Sequence, residues 1–260
     1  MRIKTTFKKG KVFVGYLMAG DGGLDKSLQA ALALIEGGVN LLEIGMPFSD
    51  PVADGPVIEQ AATRALAAGT TMEGVLTLVR KLREHTNIPL VLFSYANPIF
   101  AACKHDFFAE AKRAGLDGVL VVDCPLEESG FYYKECIKQD LAPIFVITPA
   151  TPRERIAKIA KAGRGFLYYA CRKGTTGIKE AMPEGFAEKI QEIKSVSRLP
   201  VVAGFGISNV AMAKEILQQA DGFVVGSLFV KALAEGKSNE ELTKLANSVT
   251  PHLLRGPVGI

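Results

Sequence analysis

The sequence predicts an α/β fold, a single-domain (β/α)8 barrel, and three observations lead there. Short apolar, β-branched runs recur about eight times along the 260 residues. They are near-continuous rather than alternating, as expected of parallel strands covered on both faces. Helical patterns, several ending in Ala-Gly or Gly-Gly, lie between them, and β-then-α alternation repeated eight times closes into a barrel.

Taken in order, VFVGYL at 12–17 is the first strand. The basic MRIKTTFKKGK ahead of it has the outline of a signal peptide, but the apolar run is short and GDGG follows at once, so a core strand explains it better. DKSLQAALALIEGG follows as a helix, with apolar positions 28, 31, 32, 34 and 35 and a stop at Gly37–Gly38. NLLEIG at 40–45 is the second strand. Residues from about 46 to 70 read as an extra segment after it, and long loops in compact domains tend to be functional. TTMEGVLTLVRKLREHT is a helix with a capping threonine and a basic last turn. PLVLFSY at 89–95, GVLVVD at 118–123 and PIFVIT at 143–148 are strands three to five. TPRERIAKIAKAG reads as a helix with Thr151 as N-cap and Pro152 at the first helical position. GFLYYA at 165–170, PVVAGFG at 200–206 and GFVVGS at 222–227 complete the eight. A doubly wound open sheet is the competing architecture, but GYLMAGDGG after the first strand lacks the GxGxxG spacing. No linker, low-complexity tract or shift in composition divides residues 1–260, so one domain is expected.

Composition narrows the function classes. The chain is 48% hydrophobic and 22% charged, with no apolar run near the roughly 18 residues that cross a bilayer. Its net charge of +4 is carried by dispersed lysines, which disfavours a nucleic-acid groove. The cysteines (Cys103, Cys124, Cys136, Cys171) show no CxxC spacing, and the histidines are only His85, His105 and His252. Neither a zinc site nor a disulfide framework is suggested, and reduced thiols in a cytoplasm are expected.

In such a barrel the active site lies at the C-terminal ends of the strands. GTTG at 174–177, GFG at 204–206 and GS at 226–227 put glycines, hydroxyls and helix N-termini at three adjacent joints. Backbone N–H groups there can bind an anion, which points to a phosphate-bearing ligand. The second strand carries a different signal, in LLEIGMPFSDPVADGP at 41–56. Glu43 interrupts an apolar run, and a buried carboxylate is costly unless something satisfies it. Capping a helix or pairing with a lysine would explain it; so would a raised pKa suited to proton exchange near neutrality. Asp50 and Asp54 on the following loop suit Asx-turns, although two carboxylates in unlike surroundings can divide acid and base roles.

LLEIGMPFSDPVADGP closely resembles the signature of the tryptophan synthase α-subunit family, E-[LIV]-G-x-P-[FY]-S-D-P-x-A-D-G-P. GYLMAGDGG, PLVLFSYANPI, VVDCPLEES, GFLYYACRKGTTG, VVAGFGIS and DGFVVGS resemble its other strand ends, over essentially the full length. The resemblance implies a TIM-barrel lyase that cleaves indole-3-glycerol phosphate to indole and glyceraldehyde 3-phosphate by a retro-aldol reaction. It implies Glu43 as the acid–base group at indole C3 and Asp54 as the partner of the indole N–H. Tyr168 matches a tyrosine beside the glutamate, and Thr176 a threonine on a mobile loop after strand six that contacts Asp54, with Arg172 and Lys173 just before it. Tyr16 and Leu120 match walls of the indole pocket; Gly177, Gly206, Gly226 and Ser227 match phosphate-binding positions. No metal or organic cofactor is implied for this chain. The implied partner is a pyridoxal-phosphate β subunit in an αββα assembly, with indole passing to it through a tunnel and with Asp50, Asn97 and Pro125 at contact positions.

Some positions depart from the family. Gly15 and Gly22 stand where proline is common, suggesting more backbone freedom at the mouth. Lys173 stands where a small residue is common, and CRKGTTG replaces the usual SRxGVTG. Competing readings are a catalytically weak or inactive allosteric activator of the β subunit, a stand-alone indole-releasing lyase, and another phosphate-handling barrel enzyme. The last leaves SDPxADGP unexplained.

Overall fold

Eight parallel strands close in chain order into a barrel in the computed structural model, which describes residues 2–102, 106–171, 183–204, 206–207 and 209–251. They are β1 (Val12–Met18), β2 (Leu41–Gly45), β3 (Leu90–Ser94), β4 (Gly118–Val121), β5 (Ala142–Ile147), β6 (Leu167–Ala170), β7 (Val201–Gly204) and β8 (Gly222–Val225). Around them run α1 (Arg2–Lys9), α2 (Leu24–Glu36), α3 (Pro56–Ala67), α4 (Met72–His85), α5 (Ala96–Ala102) and α6 (Phe107–Ala114). The ring continues through α7 (Gly130–Lys138), α8 (Arg153–Ala162), α9 (Phe186–Val196), α10 (Val210–Gln219), α11 (Ser227–Ala234) and α12 (Asn239–Val249).

The continuous apolar runs divide by strand period. Val12, Val14 and Tyr16 of β1, Leu41, Val91, Leu120, Ile144, Val202 and Val224 fill the barrel interior. Their neighbours Phe13, Leu17, Leu42, Ile44, Leu92, Val119, Ile147 and Phe223 pack outward under the helices. Each large side chain so buried stabilises the fold by about 2 kcal/mol. Glu43 shares the parity of Leu41 and pairs in register with Tyr16 on β1 and Val91 on β3, so it points inward.

Helix signals read from the sequence act as expected at two ends. The Thr71 side chain accepts from Gly74 N–H at the start of α4, and α2 ends as Gly37 N–H donates to Ala33 O and Gly38 N–H to Ile35 O. At α8 the cap is Pro152, and Thr151 is not the N-cap: its hydroxyl accepts from Thr148 N–H at 3.0 Å, so it closes a turn before the helix. The segment from 46 to 70 is only partly loop. Pro56–Ala67 is helix α3, started by Pro56 after Gly55 and buried through Ile58, Ala61, Ala62 and Ala65. Small alanines at helical spacing give a weak apolar signal, which is why the stretch reads as loop in sequence. The basic N-terminal stretch is helix α1, whose buried Ile3 and partly buried Phe7, the latter tilted against Phe166 at 5.8 Å, close the N-terminal end of the barrel.

Gly15 is not at the mouth. It lies within β1, paired with Leu42 and Val225, and a Cβ there would come within 2.9 Å of Val39. Its glycine provides close packing rather than freedom. Gly22, at φ +77°, does sit in the turn after β1, where proline's fixed φ could not be accommodated.

Candidate active site

The mouth of the barrel gathers ionisable and aromatic groups from β1, β2, β3 and β6. Glu43 is wholly buried, and among the described residues neither of its carboxylate oxygens has a hydrogen-bond partner. Among the described residues, then, it neither caps a helix nor pairs with a lysine. With no bond to favour the charged form, burial alone pushes its pKa up to about 8.

Asp54 lies on the loop between β2 and α3, where its N–H donates to Pro51 O at 2.9 Å. Burial raises its pKa to about 6, and a hydrogen bond from Tyr95 opposes the rise. Tyr95 Oη donates to Asp54 Oδ2 at 3.0 Å and accepts from Ala53 N–H at 3.0 Å. Its ring leans on Phe48 at 5.3 Å, so the residue after β3 holds the loop after β2 at two points. The helix that follows is held as well: Arg64 in the last turn of α3 makes a bidentate pair with Asp21 in the turn after β1, at 2.7 and 2.8 Å. Two unlike carboxylates thus face one space, one protonated and one ionised near pH 7.

Tyr16 and Tyr168 flank them. Both hydroxyls have pKa values raised well above the usual range, first by burial and then by the nearby Glu43 and Asp54 carboxyls, so they remain protonated. Phe93 stands between the two rings, edge-on to Tyr16 at 5.5 Å and to Tyr168 at 6.5 Å. Each tyrosine lies over a strand-end glycine: a Cβ on Gly45 or Gly204 would collide with the hydroxyl of Tyr16 or Tyr168, respectively. Leu120 is fully buried in the same interior layer, paired with Phe93 and Ile144.

At the end of β8, next to β1, Gly226 precedes helix α11 and Ser227 is its buried first residue; Phe229 and Val230 N–H donate to Gly226 O. Gly206, after β7, has φ +86° and takes the chain through a turn that favours glycine. Arg172, Lys173, Thr176 and Gly177, with the expected mobile loop, lie outside the described residues. Asp50, Asn97 and Pro125 are not in the mouth. All three are exposed on its rim, after β2, β3 and β4. Asp50 also serves the turn, accepting from the Ser49 hydroxyl.

Sequence reasoning missed Tyr95 and Phe93. Both sit in PLVLFSYANP, whose apolar run reads as ordinary core. Their position beside Asp54 and between two tyrosines depends on strand order and register. Among the described residues no group of histidine, cysteine and acidic side chains could hold a metal ion, and no helix is long and apolar enough to cross a membrane.

Comparison with known proteins gives the family and the fold. The family model described as tryptophan synthase alpha chain matches residues 3–253. A tryptophan synthase alpha chain of Coxiella burnetii (strain RSA 493 / Nine Mile phase I) is 55% identical over 251 residues, covering 96% of this chain and 94% of that one. One from Chlamydia caviae is 48% identical over 254 residues, covering 96% and 98%. Among solved structures, Mycobacterium tuberculosis tryptophan synthase superposes with a TM-score of 0.89 at 31% identity, covering 95% of this chain and 96% of that one. The tryptophan synthase complex of Pyrococcus furiosus gives 0.84 at 34% identity, covering 92% and 98%.

Proposed function

The chain belongs to the tryptophan synthase alpha chain family, the lyase that cleaves indole-3-glycerol phosphate in tryptophan biosynthesis, and we propose that Glu43 and Asp54 carry that cleavage here. The observation that carries this reading is the contrast between the two carboxyls: Glu43 with no partner among the described residues and a pKa near 8, Asp54 held by Tyr95 with a pKa near 6. At neutral pH the first is a proton donor and the second an anion.

Indole is a poor leaving group as a carbanion. Glu43 gives its proton to ring carbon C3, and the positive charge that spreads to the ring nitrogen is met by Asp54, bound to its N–H. The carbon–carbon bond then breaks, its electrons return to the ring, and indole leaves neutral. The glycerol hydroxyl gives its proton to the carboxylate that Glu43 became on protonating C3, which restores the acid, and its carbon becomes the aldehyde of glyceraldehyde 3-phosphate. Tyr16, Tyr168 and Leu120 wall the indole, with Thr176 closing over it. Gly206, Gly226 and Ser227, with Gly177, hold the phosphate through backbone N–H groups and the start of α11.

The family acts in complex with a β chain. Asp50, Asn97 and Pro125 meet that partner in an αββα assembly. Val52, Phe100 and Phe131, large apolar side chains exposed on the same rim, suit a surface that another chain covers. Pyridoxal phosphate belongs to the β chain; this one works as one barrel domain in the cytoplasm and needs no cofactor of its own.

The test is indole release from indole-3-glycerol phosphate, with and without β chain. The unmodified chain is expected to release indole and Glu43→Gln to release almost none. A Glu43→Gln chain that keeps most of the rate would remove Glu43 from the chemistry.

A further inference from the structure

Gly45 ends β2 two residues beyond Glu43 and faces the barrel interior with it. Its backbone is not in the left-handed region, so conformation alone does not call for glycine. Room does. A Cβ on Gly45 would collide with the Tyr16 hydroxyl and lie 2.7 Å from its Cζ and 3.1 Å from its Cε2. Tyr16 has little space to yield. Phe93 abuts it edge-on at 5.5 Å, and its root rests on Gly226, where an added Cβ would already touch Tyr16 Cβ at 3.4 Å. The ring therefore spans the mouth from the β8 joint, where the phosphate is read to bind, to the end of β2, where the proton donor sits.

We propose that Gly45 is a positioning residue for the lyase reaction: by carrying no side chain it seats the phenol end of Tyr16 over β2 and keeps that ring out of the substrate's space before Glu43. The proposal rests on the reading that the substrate lies between Glu43 and the α11 end. With a side chain at 45, the β2 backbone lies behind the ring, so Tyr16 can move only toward Phe93 and the barrel axis. The indole is then held off its proton donor although Glu43 itself is untouched.

The experiment is a double-mutant cycle on the full chain with its β partner, measuring indole release. Gly45→Ala is expected to raise KM and lower kcat/KM about ten-fold or more, as small misplacements at a reacting centre do. The pH dependence of kcat is expected to keep the limb that belongs to Glu43. In a Tyr16→Leu background the same alanine should cost less than about two-fold, because the two positions are coupled by the clash. Equal cost in both backgrounds, or an unmodified kcat/KM for Gly45→Ala, overturns the proposal. If Gly45→Ala alone does not fold, its circular-dichroism melt is compared with that of the double variant; recovery supports the seat, and a double variant that also fails overturns it. An unmodified chain that releases no indole overturns the activity reading and this one with it, whereas release with equal alanine costs overturns the seat alone.

Discussion

The two ends of the barrel treat a buried carboxylate in opposite ways. At the N-terminal end Asp117, just before β4, accepts from Arg83 Nη2 at 2.6 Å, Arg2 Nη1 at 3.1 Å and Leu90 N–H at 3.0 Å. Arg83 is itself tied to the carbonyls of Gly115, Thr86 and Ile88. The same device recurs before β8, where Asp221 accepts from Val201 N–H at 2.9 Å and Lys194 Nζ at 3.0 Å. At the C-terminal end Glu43 accepts from none of the described residues. A satisfied carboxylate fastens helices, strand starts and the α1 plug together; an unsatisfied one keeps a proton available. The difference divides a stabilising end of the barrel from a reactive one.

The largest expected effect removes the reactive end. Glu43→Gln should lower kcat by about 10³, within the range of general acid catalysis, in indole-release kinetics. Its stability should behave differently. The pKa of Glu43 is raised from 4.5 to about 8 on folding, so the native state holds a proton that the unfolded chain has lost between those values. The stability of the unmodified chain, measured against Glu43→Gln by urea unfolding, should therefore fall as pH rises through that window. In kinetics, the same two groups should give kcat/KM an acid limb near 6 from Asp54 and a basic limb near 8 from Glu43. A single-limbed profile would break the pairing of roles.

Asp117→Asn is the converse change. It leaves the mostly buried Arg83 cation poorly paired and should cost about 3 kcal/mol in urea unfolding, while indole release by the folded fraction stays unmodified. A large loss of kcat without loss of stability would show that the two ends are not separate. Tyr95→Phe should act at the mouth only. Losing a donor to a charged acceptor costs about ten-fold in kcat/KM, and the acid limb should move upward because that bond holds the Asp54 pKa down. Thr71→Ala, far from both ends, should cost about 1 kcal/mol through the lost cap of α4, read as a lower urea midpoint with unaltered kinetics.

Much of this was legible in the chain because its signals are local. Strand runs of four to seven residues sit where the apolar patterns put them, since a strand buried on both faces needs apolar residues throughout. The exception to that rule, Glu43, announced itself for the same reason. Helix α3 was harder to read because alanines bury little surface, and Thr151 because its hydroxyl takes the backbone N–H of Thr148 rather than one of the helix.

By itself, then, the sequence determined the barrel, its strand order, the odd glutamate and the glycine-rich joints, all consequences of periodicity and backbone preference over a few residues. Tertiary structure alone decided that Glu43 has no partner among the described residues, that Tyr95 reaches from β3 to hold Asp54, and that Gly45 lies beneath Tyr16. Those facts depend on which strands are neighbours and on their register. A one-residue slip would turn the same side chains to the opposite face of the sheet.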